Sequence, residues 1–97
     1  MKLMISQPMN GKAEKEIRFE REPIVRKLLN EGHDIVDTIF AESPQEAQSA
    51  PLFYLSKSIE AMSKVDGVVF MPGWEHARGC AIEHAIAVQY GLFVRII

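Results

Sequence analysis

The sequence predicts an α/β domain, a three-layer sandwich on a four-stranded parallel sheet in the order βαβαβαβ. Three observations carry this prediction. Short apolar segments rich in β-branched residues alternate with longer segments of helical periodicity. Gly- or Pro-bearing punctuation separates them. A chain of 97 residues is one domain, residues 1–97, with no internal repeat or linker. Strands alternating with helices require right-handed crossovers, and these place helices on both faces of a parallel sheet.

Each element follows in order. Leu3-Met4-Ile5-Ser6 is a buried strand by length and composition. Gln7-Pro8-Met9-Asn10-Gly11-Lys12 is a loop, because Pro8 removes a backbone donor and Asn10-Gly11 tolerates positive φ. From Ala13 the pattern turns helical. Ile17, Ile24, Leu28 and Leu29 share a face, with Glu14, Glu16, Glu20, Arg21 and Lys27 largely around it. Pro23 either kinks this helix or starts its second, more apolar half, and Gly32 stops it. Ile35 and Val36 form the core of a second strand over residues 33–37. Residues 38–51 form a long polar connection of the kind that often serves as a lid or substrate loop. A helix is predicted over residues 52–64, a third strand over 65–71, a last helix over 77–90 closed by Gly91, and a last strand over 92–97. The last helix carries Cys80, Ala81, Ile82, Ala85, Ile86, Ala87, Val88 and Tyr90 around most of its circumference. One side packs on the sheet, and a small domain has no second layer for the other, so a homo-oligomeric contact through this helix is predicted.

Composition narrows the function classes. The chain is 47% hydrophobic and 25% charged, ordinary globular usage that argues against disorder. A net charge of -2 leaves no broad basic footprint, which argues against binding a nucleic acid polymer or a membrane surface. The single cysteine excludes an internal disulfide framework and fits a reducing, cytoplasmic setting. No apolar run reaches the length of a membrane span, and the N-terminal run is too short for a signal peptide.

In this architecture the loops after the first and third strands lie at the same edge of the sheet, where ligands bind. They hold Ser6, Gln7, Asn10, Gly11 and Lys12, and Gly73, Trp74, Glu75, His76, Arg78 and Gly79. Two helix N-termini there would offer free N–H groups to an anion, with Lys12 and Arg78 adding charge. The plainer reading is that the glycines make turns and the charges are solvated. Neither loop matches a Walker or G-x-G-x-x-G pattern. Glu83 stands among Gly79, Cys80, Ile86 and Ala87 at helical spacing, and is either an exposed helix residue or an aimed catalytic group. An ionised glutamate there would suit nucleophilic attack at a sugar C1. His76, Cys80 and His84 are spaced i, i+4, i+8, but His76 precedes the helix and no second cysteine is present, so no metal site is predicted. His33 is read as a surface residue. Trp74 either stacks on a base or covers the sheet edge.

The segments Met4-Ile5-Ser6-Gln7-Pro8-Met9-Asn10-Gly11-Lys12 and Lys64-Val65-Asp66-Gly67-Val68-Val69-Phe70, and Gly73-Trp74-Glu75 through Arg78-Gly79-Cys80-Ala81-Ile82-Glu83-His84-Ala85, resemble the nucleoside 2-deoxyribosyltransferase-like superfamily, above all its short phage and bacterial members. The resemblance covers nearly the whole chain. It implies a flavodoxin-like, Rossmann-like sheet and an oligomer with active sites near subunit contacts. It also implies cleavage or transfer at the N-glycosidic bond of a nucleoside or nucleoside 5'-monophosphate. Glu83 takes the place of the nucleophile that attacks C1, and Asp66 that of an acidic residue touching sugar or base. Ser6, Gln7, Met9, Asn10, Gly11, Lys12, Gly73, Trp74, Glu75, Arg78 and Gly79 become substrate-binding candidates, with Trp74 or Met9 against the base. No cofactor is called for, because a carboxylate nucleophile and a positioned proton donor suffice. The chain departs from the pattern where a second carboxylate is expected before the nucleophile, since Ala77 and Arg78 stand there. Arg78 suggests an anionic substrate. The alternative is a non-catalytic nucleotide-binding or sensor domain on the same fold.

Overall fold

The computed structural model describes residues 1–39 and 48–97. The element order is β1 (Lys2–Ser6), α1 (Glu14–Asn30), β2 (Asp34–Val36), α2 (Ala50–Met62), β3 (Gly67–Phe70), α3 (Arg78–Gln89) and β4 (Phe93–Ile96), with a 3₁₀ turn at Trp74–His76 ahead of α3. All four strands are parallel, in the order β2-β1-β3-β4. This is the small flavodoxin-like three-layer architecture that the sequence predicts.

Alternation along the central strands sorts the two core layers. Leu3 and Ile5 of β1, with Val69 and Met71, pack on Leu28, Ile24 and Val25 of α1. Met4 of β1, with Val68 and Phe70 of β3, packs on Ala61 and Met62 of α2 and Ala87 of α3. One helix therefore covers one face and two cover the other. The chain leaves β1 toward one face and β3 toward the other, so the C-terminal ends of these neighbouring strands form the topological switch point of the sheet. β3 and β4 approach closely at Gly67, where a Cβ would stand 2.6 Å from the Phe93 carbonyl oxygen and 2.8 Å from its Cβ.

Local chemistry explains where boundaries differ from the sequence reading. The second helix begins at Ala50, ahead of residue 52, because Ser49 caps it by accepting from the Leu52 N–H at 3.3 Å and Pro51 fits a first turn that needs no donor. α1 is one helix running through Pro23. Pro23 has no N–H to give the Phe19 carbonyl, and both residues are exposed, so water is available to that group. The proposed lid over residues 38–51 lies largely in 40–47, outside the described residues. On α3, Ile82 and Val88 remain 39% and 55% exposed, so the side of this helix away from the sheet is open in the single chain. Among the described residues no helix is long and apolar enough to cross a membrane.

Candidate active site

The switch point is built around the last residue of β1. Ser6 points to the α3 face and is buried, and its Oγ donates to Glu83 Oε1 at 3.3 Å. Glu83 is only 7% exposed, one turn and a half into α3. Burial pushes its carboxyl up to about 7, against the opposing pull of the Ser6 hydroxyl and the Arg21 guanidinium. Of the two readings of Glu83 open in the sequence, exposed helix residue or aimed group, the first is excluded. Cys80 lies nearly one turn earlier, also buried, and burial pushes its thiol up from the ordinary value. A thiol held protonated is a poor nucleophile. Gly79 precedes Glu83 by four residues on the same helical face. A Cβ on Gly79 would meet nothing within 4 Å, which leaves room one turn above the carboxylate.

The two loops meet over this point. A Cβ on Gly73, which sits at φ 90°, would come to 3.5 Å from Pro8 Cγ. Gly11, at φ 78°, turns the other loop, and the Lys12 N–H closes it on the Met9 carbonyl at 3.1 Å. Met9 is half-buried, whereas Asn10, Glu75, His76 and Arg78 are exposed. Trp74 is half-buried against the core. It stacks on His84 with ring centroids 4.2 Å apart and also contacts Phe70 at 5.5 Å. Covering the sheet edge is thus the role its contacts display, and His84 occupies one of its faces.

The two helix N-termini differ. α1 begins with Glu14 and Glu16 in its first turn, so its own carboxylates answer the helix dipole. α3 begins after Ala77, which offers no side-chain cap. Its first turn holds no acid and carries Arg78, and the first N–H to reach back is that of Ala81, to Ala77 O at 2.9 Å. An anion is suited by α3 and disfavoured by α1.

Other expected site residues are placed differently. Asp66 is at the wrong end of the sheet. Its Oδ2 accepts from the Lys2 N–H at 2.7 Å, level with the start of β1, whereas Ser6 ends that strand. Four strand steps put it roughly 13 Å from the Glu83 end, so it is an inter-strand clamp and no contact for sugar or base at Glu83. Lys12 is not a free charge, since its Nζ pairs with Glu20 at 2.9 Å and holds that carboxylate below its usual range. Gln7 is buried and committed to the α1 side. Its Nε2 donates to the Ile17 carbonyl at 3.0 Å and to Glu20 at 3.2 Å.

The sequence reading missed Arg21, which it assigned to the polar face of α1. It is 5% exposed. Its Nε donates to Gln7 Oε1 at 2.9 Å, its Nη1 to Thr38 Oγ1 at 3.0 Å and its Nη2 to the Ile5 carbonyl at 3.5 Å. A signal was present, because Ile17, Arg21, Ile24 and Leu28 fall on one helical stripe. Among the described residues, no group of three or more His, Cys, Asp or Glu side chains is placed to hold a metal ion.

No curated protein and no solved structure matches the chain. The model of one family, described as a domain of unknown function (DUF4406), matches residues 1–96, and the chain belongs to that family.

Proposed function

For this DUF4406 member we propose cleavage or transfer at the N-glycosidic bond of a nucleoside or nucleoside 5'-monophosphate, with Glu83 as nucleophile. The observation that carries the reading is the placement of Glu83. It is a desolvated carboxylate at the β1/β3 switch point, fixed by Ser6, with a pKa near neutrality. The resemblance of the Gly73-to-Ala85 segment to deoxyribosyltransferases supplies the reaction class.

In this reaction a Glu83 Oε bonds to C1 as the C1–N bond breaks. The bonding pair leaves with the base nitrogen, which takes up a proton from solvent at the open sheet edge. The positive charge that develops on the sugar in the transition state faces the carboxylate. Water or a second base then attacks C1 and frees Glu83, giving hydrolysis or transfer. Only ionised Glu83 attacks, so turnover rises with pH through about 7. The open N-terminus of α3 and Arg78 receive a 5'-phosphate, and Met9 packs on the base.

Binding without turnover is the second reading. It is favoured by the identity of the polar groups that act on the desolvated Glu83, which are Ser6 and Arg21, neither of them a second acid. We also propose that a second copy of the chain covers the open side of α3, in a reducing cytoplasm that suits the buried thiol of Cys80. Sedimentation of a lone 11.0 kDa species at micromolar concentration would remove the dimer.

A thermal-shift screen of nucleosides and nucleoside monophosphates, with chromatography for free base on each hit, tests the main reading. Glu83→Gln is expected to keep the shift and lose base release. Wild-type turnover in that variant would exclude Glu83 as nucleophile, and a shift without release in the wild type would establish the sensor reading.

A further inference from the structure

We propose that Arg21 is a positioning residue that sets the Ser6 hydroxyl on Glu83 from the opposite face of the sheet. Consecutive strand residues point to opposite faces, so Ser6 meets α3 while Ile5 and Gln7 belong to the α1 side. Arg21 holds both neighbours of Ser6. Its Nε reaches Gln7 Oε1 at 2.9 Å and its Nη2 the Ile5 carbonyl at 3.5 Å. Thr38 Oγ1 accepts from Arg21 Nη1 and donates to the same Ile5 carbonyl, both at 3.0 Å, closing the grip. A planar fork with fixed donor directions holds two acceptors in register in a way that a single ammonium does not.

The guanidinium also brings charge. It is buried, and its ionic neighbours are Asp37, 3.8 Å away and mostly exposed, Arg18, and across the sheet Glu83 and Cys80. From the β1 side Glu83 meets the uncharged Ser6 hydroxyl, and on its own helix the thiol of Cys80. Arg21 is the cation that draws Glu83 toward its ionised form. The same residue therefore fixes the hydroxyl that holds the carboxylate and supplies the field that keeps it ionisable. The inference deepens the N-glycosidic reading and rests on it only for its effect on turnover.

The test is the titration midpoint of the Glu83 carboxyl, read by carbon NMR on the folded chain and assigned by its loss in Glu83→Gln. Arg21→Met is expected to raise the midpoint by about half a unit or more. Arg21→Lys keeps the charge without the two-point grip and raises it less. Gln7→Leu cuts the grip with the charge in place and also raises it, because the Ser6 hydroxyl no longer sits squarely on the carboxylate. A Gln7→Leu midpoint equal to wild type would overturn the proposal whatever Arg21→Met shows, because loss of the charge alone raises the midpoint in Arg21→Met. If Arg21→Met does not fold, Arg21→Lys and Gln7→Leu decide on the same terms. With a substrate in hand, the acid limb of kcat moves up with the midpoint while KM changes little. If the wild type releases no base, the N-glycosidic reading falls, and the midpoints still judge the role of Arg21.

Discussion

Replacing Glu83 with glutamine is expected to stabilise the protein at alkaline pH and to leave its stability almost unchanged at acid pH. Burial raises the Glu83 carboxyl from 4.5 to about 7 in the folded chain. A carboxyl whose folded pKa is raised makes the folded state the better proton binder. Its favourable contribution is fully present below the unfolded value and is lost as pH rises through the folded one. The window therefore runs from about pH 4.5 to about pH 7. A difference of ~2.5 units corresponds to about 3 kcal/mol of folding free energy. At pH 5 the wild-type side chain is folded in as a neutral acid, and glutamine is nearly its isostere, able to donate to Ser6 Oγ. At pH 8 the wild type must bury a carboxylate and the variant need not. Denaturant unfolding at both pH values reads this directly. Glu83→Gln should gain about 3 kcal/mol relative to wild type at pH 8, equivalent to a melting-point rise of more than ~10 °C, and under ~1 kcal/mol at pH 5. An equal difference at the two pH values would show that Glu83 is not a desolvated carboxylate, and the argument for it as a tuned nucleophile would go with it.

Gly67→Ala should cost about 1–3 kcal/mol, because the new Cβ would meet the Phe93 backbone oxygen at 2.6 Å and β4 would have to move off β3; an unchanged denaturation midpoint would contradict this spacing. Asp66→Ala should lower stability by about 1 kcal/mol through the lost bond from the Lys2 N–H. It should leave base release untouched, and a large fall in turnover with the fold intact would return Asp66 to the site.

Much of the fold was legible because period-2 and period-3.6 patterns and their Gly and Pro boundaries are local properties. The meeting of the loops after β1 and β3 also followed, since strand order in such folds is constrained by handedness. Glu83 was legible as a candidate because a carboxylate among Gly79, Cys80, Ile86 and Ala87 is out of place on a solvated face. What was not legible depended on pairing across the fold. Lys12 and Arg21 have the same formal charge and sit nine positions apart. Only the packed structure shows one on the surface with Glu20 and the other beneath β1. Composition biases any reading of arginine toward solvent, and here that bias outweighed the stripe from Ile17 to Leu28. Asp66 failed for a different reason. It directly precedes β3, and in a parallel sheet the start of a strand lies at the edge opposite its C-terminal loops, so its position in the chain already separated it from Ser6.

The electrostatics of the switch point argue that it is more than a packing solution. Desolvation pushes Glu83 up and Arg21 down, each toward its neutral form, and their mutual attraction across Ser6 and Gln7 only partly opposes this. Buried groups of opposite charge are a weak source of stability, and well-packed apolar residues of similar volume often do as well or better. A 97-residue domain has little stability to spare. The desolvation is also localised. It sits where β1 and β3 end, beside the helix terminus left without an acid or a side-chain cap, and beneath a glycine whose missing side chain leaves space. A structural role would explain a buried ion-linked network anywhere in the core. The coincidence of such a network with a helix N-terminus free of acids, at the end of the sheet where parallel α/β folds bind ligands, is the ground on which the proposed N-glycosidic reading rests.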